Sequence, residues 1–188
     1  MSNKEKFWYI IGPVLLSFVY ALTSPIIHVY FVSLISPRVM AIAALISTGL
    51  AAIVNYTITV DKFKEWYQQH FLFIVISDII IFCLVSFTSI NIPEIRFLGF
   101  AFINAVSTCL WVMVMKNLAN NIIANGDERT KFDALNNYTC LCASFLGAIL
   151  AIIFVEIPVE CCIAAQCVVN FIMGCTDYYS FKMLNRKL

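Results

Sequence analysis

Asp78 is the side chain in this sequence with the clearest capacity for chemistry, because it is a carboxylic acid inside the apolar run Ile-Ser-Asp-Ile-Ile. A charged carboxylate at the centre of a bilayer costs at least about 3 kcal/mol, so Asp78 should face protein or water, or carry a proton. Asp78 is therefore a candidate for binding a coupling proton or cation. The structural alternative is an ion pair with Lys116, whose long side chain could reach it from the inner end of a neighbouring segment.

Other polar side chains in the apolar segments could line a path for a small solute. These candidates are His28, Asn104, Ser107 and Thr108. Imidazole, amide and hydroxyl groups hydrogen-bond sugars, drugs and organic ions equally well, so the identity of the substrate cannot be predicted. The alternative is ordinary hydrogen bonding between helices, which stabilises membrane proteins modestly.

Nothing in the sequence predicts an enzyme. It contains no Gly-x-Ser-x-Gly, no Gly-rich phosphate-binding loop and no His-Glu-x-x-His. The two histidines, His28 and His70, fall at opposite depths of the predicted membrane and cannot share a metal ion or a haem. The eight cysteines form no Cys-x-x-Cys pair and are interpreted as small apolar packing residues. We therefore expect no catalytic residue, no metal and no cofactor.

Six apolar segments must position the candidate residues. Apolar residues make up 62% of the 188 residues and charged residues only 12%, and a helix needs about 20 apolar residues to cross a bilayer. We predict an all-α, polytopic membrane protein in which residues 1–188 form a single six-helix domain. The predicted spans are residues 7–34, 39–60, 70–90, 96–119, 134–155 and 158–180.

The basic residues indicate how these spans are oriented. Ten of the twelve Lys and Arg residues lie on the side that carries both termini, and only Arg38 and Arg96 lie on the other side. Short loops rich in Lys and Arg stay in the cytoplasm. The pattern therefore predicts cytoplasmic termini in a plasma membrane or a bacterial inner membrane. The net charge of +1, with scattered basic residues, gives no reason to expect nucleic acid as a partner.

Small residues recur at every fourth position in the second and fifth predicted spans. They are Ala43, Ser47 and Ala51 in the second span, and Ala143, Gly147 and Ala151 in the fifth. Such rows let helix backbones approach each other closely in lipid. We predict that both rows contact another six-helix unit, and the alternative is packing within a single chain.

The loop after the second span resembles the cytoplasmic signature of the major facilitator superfamily. The stretch Thr-Ile-Thr-Val-Asp-Lys-Phe-Lys, which begins at Thr57, is similar to the family's Gly-x-x-x-Asp-Arg-x-Gly turn. Asp61 and Lys62 match the acidic and basic positions. Thr57 and Lys64 stand where the family has glycines, which departs from its tight turn.

Two further segments resemble motifs of the same family, in the same order along the chain. The run Arg-Phe-Leu-Gly that begins at Arg96 is similar to the family's fourth-helix motif. The loop Gly-Asp-Glu-Arg-Thr-Lys, which contains Glu128 and Arg129, looks like its Glu-Arg element. The three matches extend over nearly the whole chain.

The resemblance implies both an architecture and a function. Members of this superfamily usually have twelve spans in two halves, each built from two inverted three-helix repeats. This chain would correspond to one half, resembling the N-terminal one, and a parallel homodimer would restore the two-half architecture. It would move a small solute across the bilayer by alternating access. The gating loops would contain Asp61, Lys62, Arg96, Glu128 and Arg129.

Two alternatives stay open at this level. A half-length chain without the gating glycines could be an accessory, binding or immunity-type membrane protein that acts on a partner. The sequence could also be an isolated N-terminal half of a longer transporter.

Overall fold

The computed structural model describes residues 2–58, 61–123 and 126–187, and in this part of the chain it contains helices and no strands. The helices are α1 (Asn3–Val32), α2 (Pro37–Ile58), α3 (Asp61–Gln69), α4 (Phe71–Asn91), α5 (Pro93–Thr108), a π-helical segment (Cys109–Lys116), α6 (Asn117–Ile122), α7 (Gly126–Ile153) and α8 (Val159–Asn185).

Six helical stretches are long and apolar enough to cross a membrane. Five of them are α1, α2, α4, α7 and α8. The fourth span is Pro93–Ile122, in which α5, the π-helical segment and α6 follow one another without a break. The prediction of an all-helical fold with six segments long and apolar enough to cross a membrane is therefore confirmed for the described residues.

Helices extend beyond the predicted spans most clearly in two regions. The polar connection between the second and third spans forms α3, in which Phe63, Trp66 and Tyr67 have the i, i+3, i+4 spacing of one helical face. Helix α7 begins at Gly126, eight residues before the predicted fifth span. Its first turn carries Asp127 and Glu128, and acidic residues at this position favour the start of a helix.

The helices group into two compact units. Unit 1 consists of residues 1–28 and 117–188, and therefore contains most of α1 together with α6, α7 and α8. Glycines bring its helices close together. A Cβ atom at Gly147 of α7 would meet the backbone oxygen of Phe18 in α1, and one at Gly12 of α1 would meet the hydroxyl of Thr176 in α8. Helix α1 thus packs closely against both α7 and α8.

Unit 2 consists of residues 29–116, and therefore contains α2, α3, α4, α5 and the π-helical segment. Helix α5 packs against both α2 and α4. A Cβ atom at Gly99 of α5 would lie 2.6 Å from a methyl group of Val85 in α4. The rings of Phe82 and Phe100 meet edge to face across the same two helices, with 5.1 Å between their centroids.

Candidate functional site

Asp78 and Ser107 form a polar pair between two membrane-crossing helices of unit 2. The Ser107 hydroxyl of α5 donates to the carboxylate of Asp78 in α4, at 3.4 Å from Oδ1 and 3.3 Å from Oδ2. Asp78 is only partly exposed. The structure therefore brings together two of the predicted binding residues.

The alternative ion pair between Asp78 and Lys116 does not form. Lys116 ends the π-helical segment, nine residues beyond Ser107, and its side chain is exposed. An ammonium group at such a surface position keeps its hydration, whereas pairing with an intramembrane carboxylate would require both groups to lose water. The hydroxyl of Ser107, on the face of α5 that packs against α4, takes the place expected for the lysine.

Two other candidates of the same span lie beside Ser107 without touching Asp78. The Thr108 hydroxyl donates to the backbone carbonyl of Asn104, one turn earlier, at 2.8 Å. The Asn104 side chain is exposed. Ser107 is therefore the residue of this group that contacts the carboxylate.

The helix carrying Ser107 changes its geometry directly after this site. The π-helical segment begins at Cys109, two residues beyond Ser107. The hydroxyl of Tyr67, in the short helix α3, is hydrogen-bonded to Cys109 and to Thr57. Burial raises the pKa of Tyr67 to about 12, and the hydrogen bond to Cys109 acts in the same direction. Since π-helical turns occur frequently at functional sites, this local geometry is a second reason to consider the region around Ser107 a candidate functional site.

Unit 1 contains a comparable polar group. The amide nitrogen of Gln166 in α8 donates to the hydroxyls of Thr23, at 3.0 Å, and Ser24, at 3.3 Å, both in α1. Gln166 is completely buried. The Asn170 amide, one turn later, donates to the Tyr20 hydroxyl at 3.1 Å. These amides are not among the site residues predicted from the sequence, although a Gln within an apolar span is the signal that could have singled out this group.

His28 lines an open groove between α1 and α7. The groove has a volume of about 680 Å³ and mostly apolar walls. Ser24 and Ser144 add hydroxyls to it, and Ser144 also reaches the backbone oxygen of Ser17 at 3.5 Å. His28 itself is exposed. The structure therefore places His28 at a surface groove of unit 1, while the Asp78–Ser107 pair belongs to unit 2.

The predicted gating residues are divided between the two units, with three in unit 2 and two in unit 1. Lys62 is exposed on α3, and the side chain of Asp61 lies outside the described part of the structure. The guanidinium of Arg96 stacks on the ring of Phe100, 3.9 Å from its centroid. These three residues belong to unit 2.

The other two gating candidates belong to unit 1. Glu128 is exposed in the first turn of α7. Arg129 is mostly buried, and its Nε donates to Asp133 at 2.8 Å, one turn along the same helix. The terminal nitrogens Nη1 and Nη2 of Arg129 are buried without a hydrogen bond to the described residues.

Asp177 is a buried acid that sequence reasoning missed. Its side chain is only 8% exposed in α8. Electrostatic interactions connect Tyr9 of α1 with Asp177, Arg129 and Asp133, so four ionisable groups lie close together in unit 1. The sequence feature that could have identified it is its position, three residues before the end of the predicted sixth span.

The small-residue row of α7 is buried within the chain. Ala143, Gly147 and Ala151 are all buried in unit 1, with Gly147 against Phe18 and Ala21 of α1. At Gly147 this burial comes from α1, which agrees with the alternative interpretation of packing within a single chain.

The row in α2 is partly covered as well. Ala43 is buried and Ser47 and Ala51 are partly exposed, in a helix that packs against α5. Packing within the chain, the alternative interpretation of both rows, therefore accounts for most of this small-residue surface.

No group of three His, Cys, Asp or Glu side chains that could hold a metal ion occurs among the residues described. No protein family, curated protein or solved structure matches the chain.

Proposed function

We propose that the protein is a half-size membrane transporter that moves a small solute by alternating access. It works as a parallel homodimer with both termini in the cytoplasm. Each chain supplies one six-helix half with the inverted repeats of the major facilitator superfamily. Asp78 and Ser107 belong to the polar centre that binds the solute or the coupling ion.

The composition of the two compact units is the observation that carries this proposal. Unit 1 contains the first, fifth and sixth spans, and unit 2 contains the second, third and fourth. The exceptions are the end of α1, which belongs to unit 2, and α6 at the end of the fourth span, which belongs to unit 1. An inverted repeat pairs span one with four, two with five, and three with six. If each span of unit 1 is replaced by its repeat partner, span one becomes four, five becomes two and six becomes three. The result is the set of spans found in unit 2. The first and fourth spans, which are repeat partners, each pack against both companions in their unit.

The polar groups follow the same relation. Asp78 lies seven residues after the start of α4, and Gln166 lies seven residues after the start of α8. These helices are the third spans of the two repeats. Asp78 accepts a hydrogen bond from Ser107 in the fourth span, and Gln166 donates one to Ser24 in the first. A repeat relation predicts equivalent positions of this kind.

The Asp78–Ser107 pair suits a coupled transport site. An ionised carboxylate is costly to expose to the membrane interior, and binding a proton or a cation removes this cost. The Ser107 hydroxyl can donate to the carboxylate and can accept from the protonated acid. The pair could therefore satisfy both charge states of Asp78 during a transport cycle.

A flux assay tests the transport function. The purified protein is reconstituted into vesicles that contain the pH-sensitive dye pyranine, and sugars, amino acids and organic cations are added outside in turn. We expect at least one class of solute to drive a proton flux, and the Asp78→Asn variant to abolish it. The Glu160→Gln variant is the matched control, because Glu160 is an exposed acid at the start of α8. Absence of flux with every class of solute would contradict the proposal and favour an accessory role.

The mass of the protein in lipid nanodiscs tests the homodimer. A chain with six spans supplies only half of a two-half transporter, and in this proposal the other half is a second copy. We expect native mass spectrometry to detect two chains of 21.2 kDa each in one particle. Single chains at every protein-to-lipid ratio would contradict a dimer.

A further inference from the structure

The charges of α3 are arranged around its aromatic residues in a regular way. At about 100° per residue, Phe63, Trp66 and Tyr67 fall on one face of the helix. By its position in the sequence, Lys62 lies at one border of that face. Glu65, Gln68 and Gln69 lie on the opposite face. This distribution is typical of helices that lie in the plane of a membrane interface.

The structure shows how the aromatic face is used. Phe63 is 48% exposed and Trp66 is 46% exposed. Tyr67 instead turns towards the rest of unit 2, where its hydroxyl meets Cys109 and Thr57. The Trp66 ring stacks on His70, with centroids 4.6 Å apart, and this contact fixes the orientation of the indole. Tyr67, at one edge of the aromatic face, therefore holds α3 to the rest of unit 2. The other edge, with Phe63 and Trp66, stays open.

The open edge forms a groove of about 440 Å³, lined by Lys62, Phe63, Trp66 and Tyr67. The groove thus has one positively charged group, the ammonium of Lys62, beside aromatic side chains. A phosphate group would be attracted by the ammonium of Lys62, and the adjoining glycerol and acyl carbons would contact Phe63 and Trp66. Glu65 lies on the opposite side of the helix, so its charge does not oppose an anion in the groove.

We propose that the groove on α3 binds an anionic phospholipid of the leaflet in which this helix lies. The occupant is a lipid because the lining combines one positive charge with a large apolar surface. A free phosphate ion would use the charge alone. The α3 connection lies on the Lys- and Arg-rich side of the sequence, which is expected to face the anionic cytoplasmic leaflet.

The proposal gives α3 a role beyond connecting two spans. Tyr67 links it to Cys109, the first residue of the π-helical segment, and Ser107 lies two residues before that segment. A lipid that holds α3 at the interface would therefore stabilise the start of the π-helical segment. Lipid binding itself does not depend on the transport function proposed above.

Quenching of Trp66 fluorescence by brominated lipids tests the proposal. The Trp8→Phe/Trp111→Phe variant keeps Trp66 as its single tryptophan. It is reconstituted in equal parts of phosphatidylcholine and phosphatidylglycerol, with either lipid brominated on its acyl chains. We expect stronger quenching by brominated phosphatidylglycerol. Should this variant fail to fold, the difference in quenching between the native chain and the Trp66→Phe variant reports the same contact.

Substitutions on α3 separate lipid recognition from general membrane contact. We expect Lys62→Gln to reduce the preference for phosphatidylglycerol about fivefold, which corresponds to the ~1 kcal/mol that one basic residue contributes beside an anionic leaflet. Lys62→Arg should keep the preference. Glu65→Gln, a charge change of the same size on the opposite face, should not reduce it.

Glycerol phosphate added to phosphatidylcholine vesicles should leave Trp66 emission unchanged, because it lacks acyl chains. Equal quenching by the two brominated lipids would overturn the proposal. A lipid preference that survives Lys62→Gln would overturn it as well.

Discussion

At the scale of single residues, the central feature is an intramembrane carboxylate whose observed donor is a neutral hydroxyl. The Ser107 hydroxyl lies 3.3 Å from Oδ2 of Asp78, and the lysine expected beside it is exposed elsewhere. A hydrogen bond from a hydroxyl lowers the free-energy cost of an ionised carboxylate in the membrane interior, but it does not cancel the negative charge. The site therefore keeps a capacity to bind a proton or a cation that a buried ion pair would lack.

A double-mutant cycle measures this contact. Ser107→Ala should lower the free energy of unfolding by about 1 kcal/mol, the usual scale for an interhelical hydrogen bond in a membrane protein. Combined with Asp78→Ala, its effect should be clearly non-additive, because both changes remove the same interaction. Thr108→Ala is the matched control. Its hydroxyl bonds within its own helix, so its effect should add to that of Asp78→Ala. Simple additivity of Ser107→Ala would show that the contact has no energetic role.

Tyr67 predicts how the stability of unit 2 depends on alkaline pH. Burial raises its pKa from 10.0 to about 12, so the folded protein favours the neutral phenol. This contribution is fully present below the unfolded-state pKa and is lost as the pH rises through the folded-state value. Thermal unfolding from neutral pH to about pH 12 should therefore show the native chain losing its advantage over Tyr67→Phe. A constant difference between the two proteins would contradict the assignment.

At the scale of helices, close packing between α7 and α1 depends on the absence of a side chain at Gly147. Its position against the backbone oxygen of Phe18 leaves no room for a methyl group, and backbone cannot move aside as a flexible side chain can. In lipid, where packing drives helix association, such a contact contributes directly to stability. The row of small residues in α7 therefore holds unit 1 together.

Gly147→Ala should destabilise the protein by about 1–3 kcal/mol, the usual cost of overpacking. Gly49→Ala in α2 is the matched control, since a Cβ atom there meets nothing within 4 Å. It should be neutral or slightly stabilising, because alanine favours a helix. Thermal unfolding in one detergent compares the two variants directly. Equal effects would mean that α1 and α7 do not approach each other as described.

At the scale of the whole molecule, sequence patterns identify the six spans because apolar length is a local property. The same patterns do not decide which helix covers a given face, as the small-residue row of α7 shows. The partner of Asp78 was also beyond sequence reasoning, because a serine and a lysine nine residues apart on the same span were both within reach. Helix α3 could be predicted from the sequence only in part. Its aromatic spacing was visible in the sequence, but its length was too short for a span.

The orientation of the molecule can be measured independently of its activity. Cysteines introduced at Ser2 and at Asn185 in a chain without native cysteines should both react with a membrane-impermeant maleimide only after cells are opened. This outcome follows from the ten basic residues on the side of the termini. A cysteine at Ser36, in the first connection on the other side, should react in intact cells. The reverse pattern would invert the proposed topology.

Access to the Asp78–Ser107 site from both sides of the membrane is the most direct test of the account. In a chain without native cysteines, Ser107→Cys is treated with a membrane-impermeant thiosulfonate, added either inside or outside oriented vesicles. Leu84→Cys is the control, because Leu84 is a 63% exposed apolar residue of α4, expected to face lipid and to stay unreactive. Alternating access predicts that Ser107→Cys reacts from both sides. Reaction from only one side, or from neither, would contradict a transporter built around this pair.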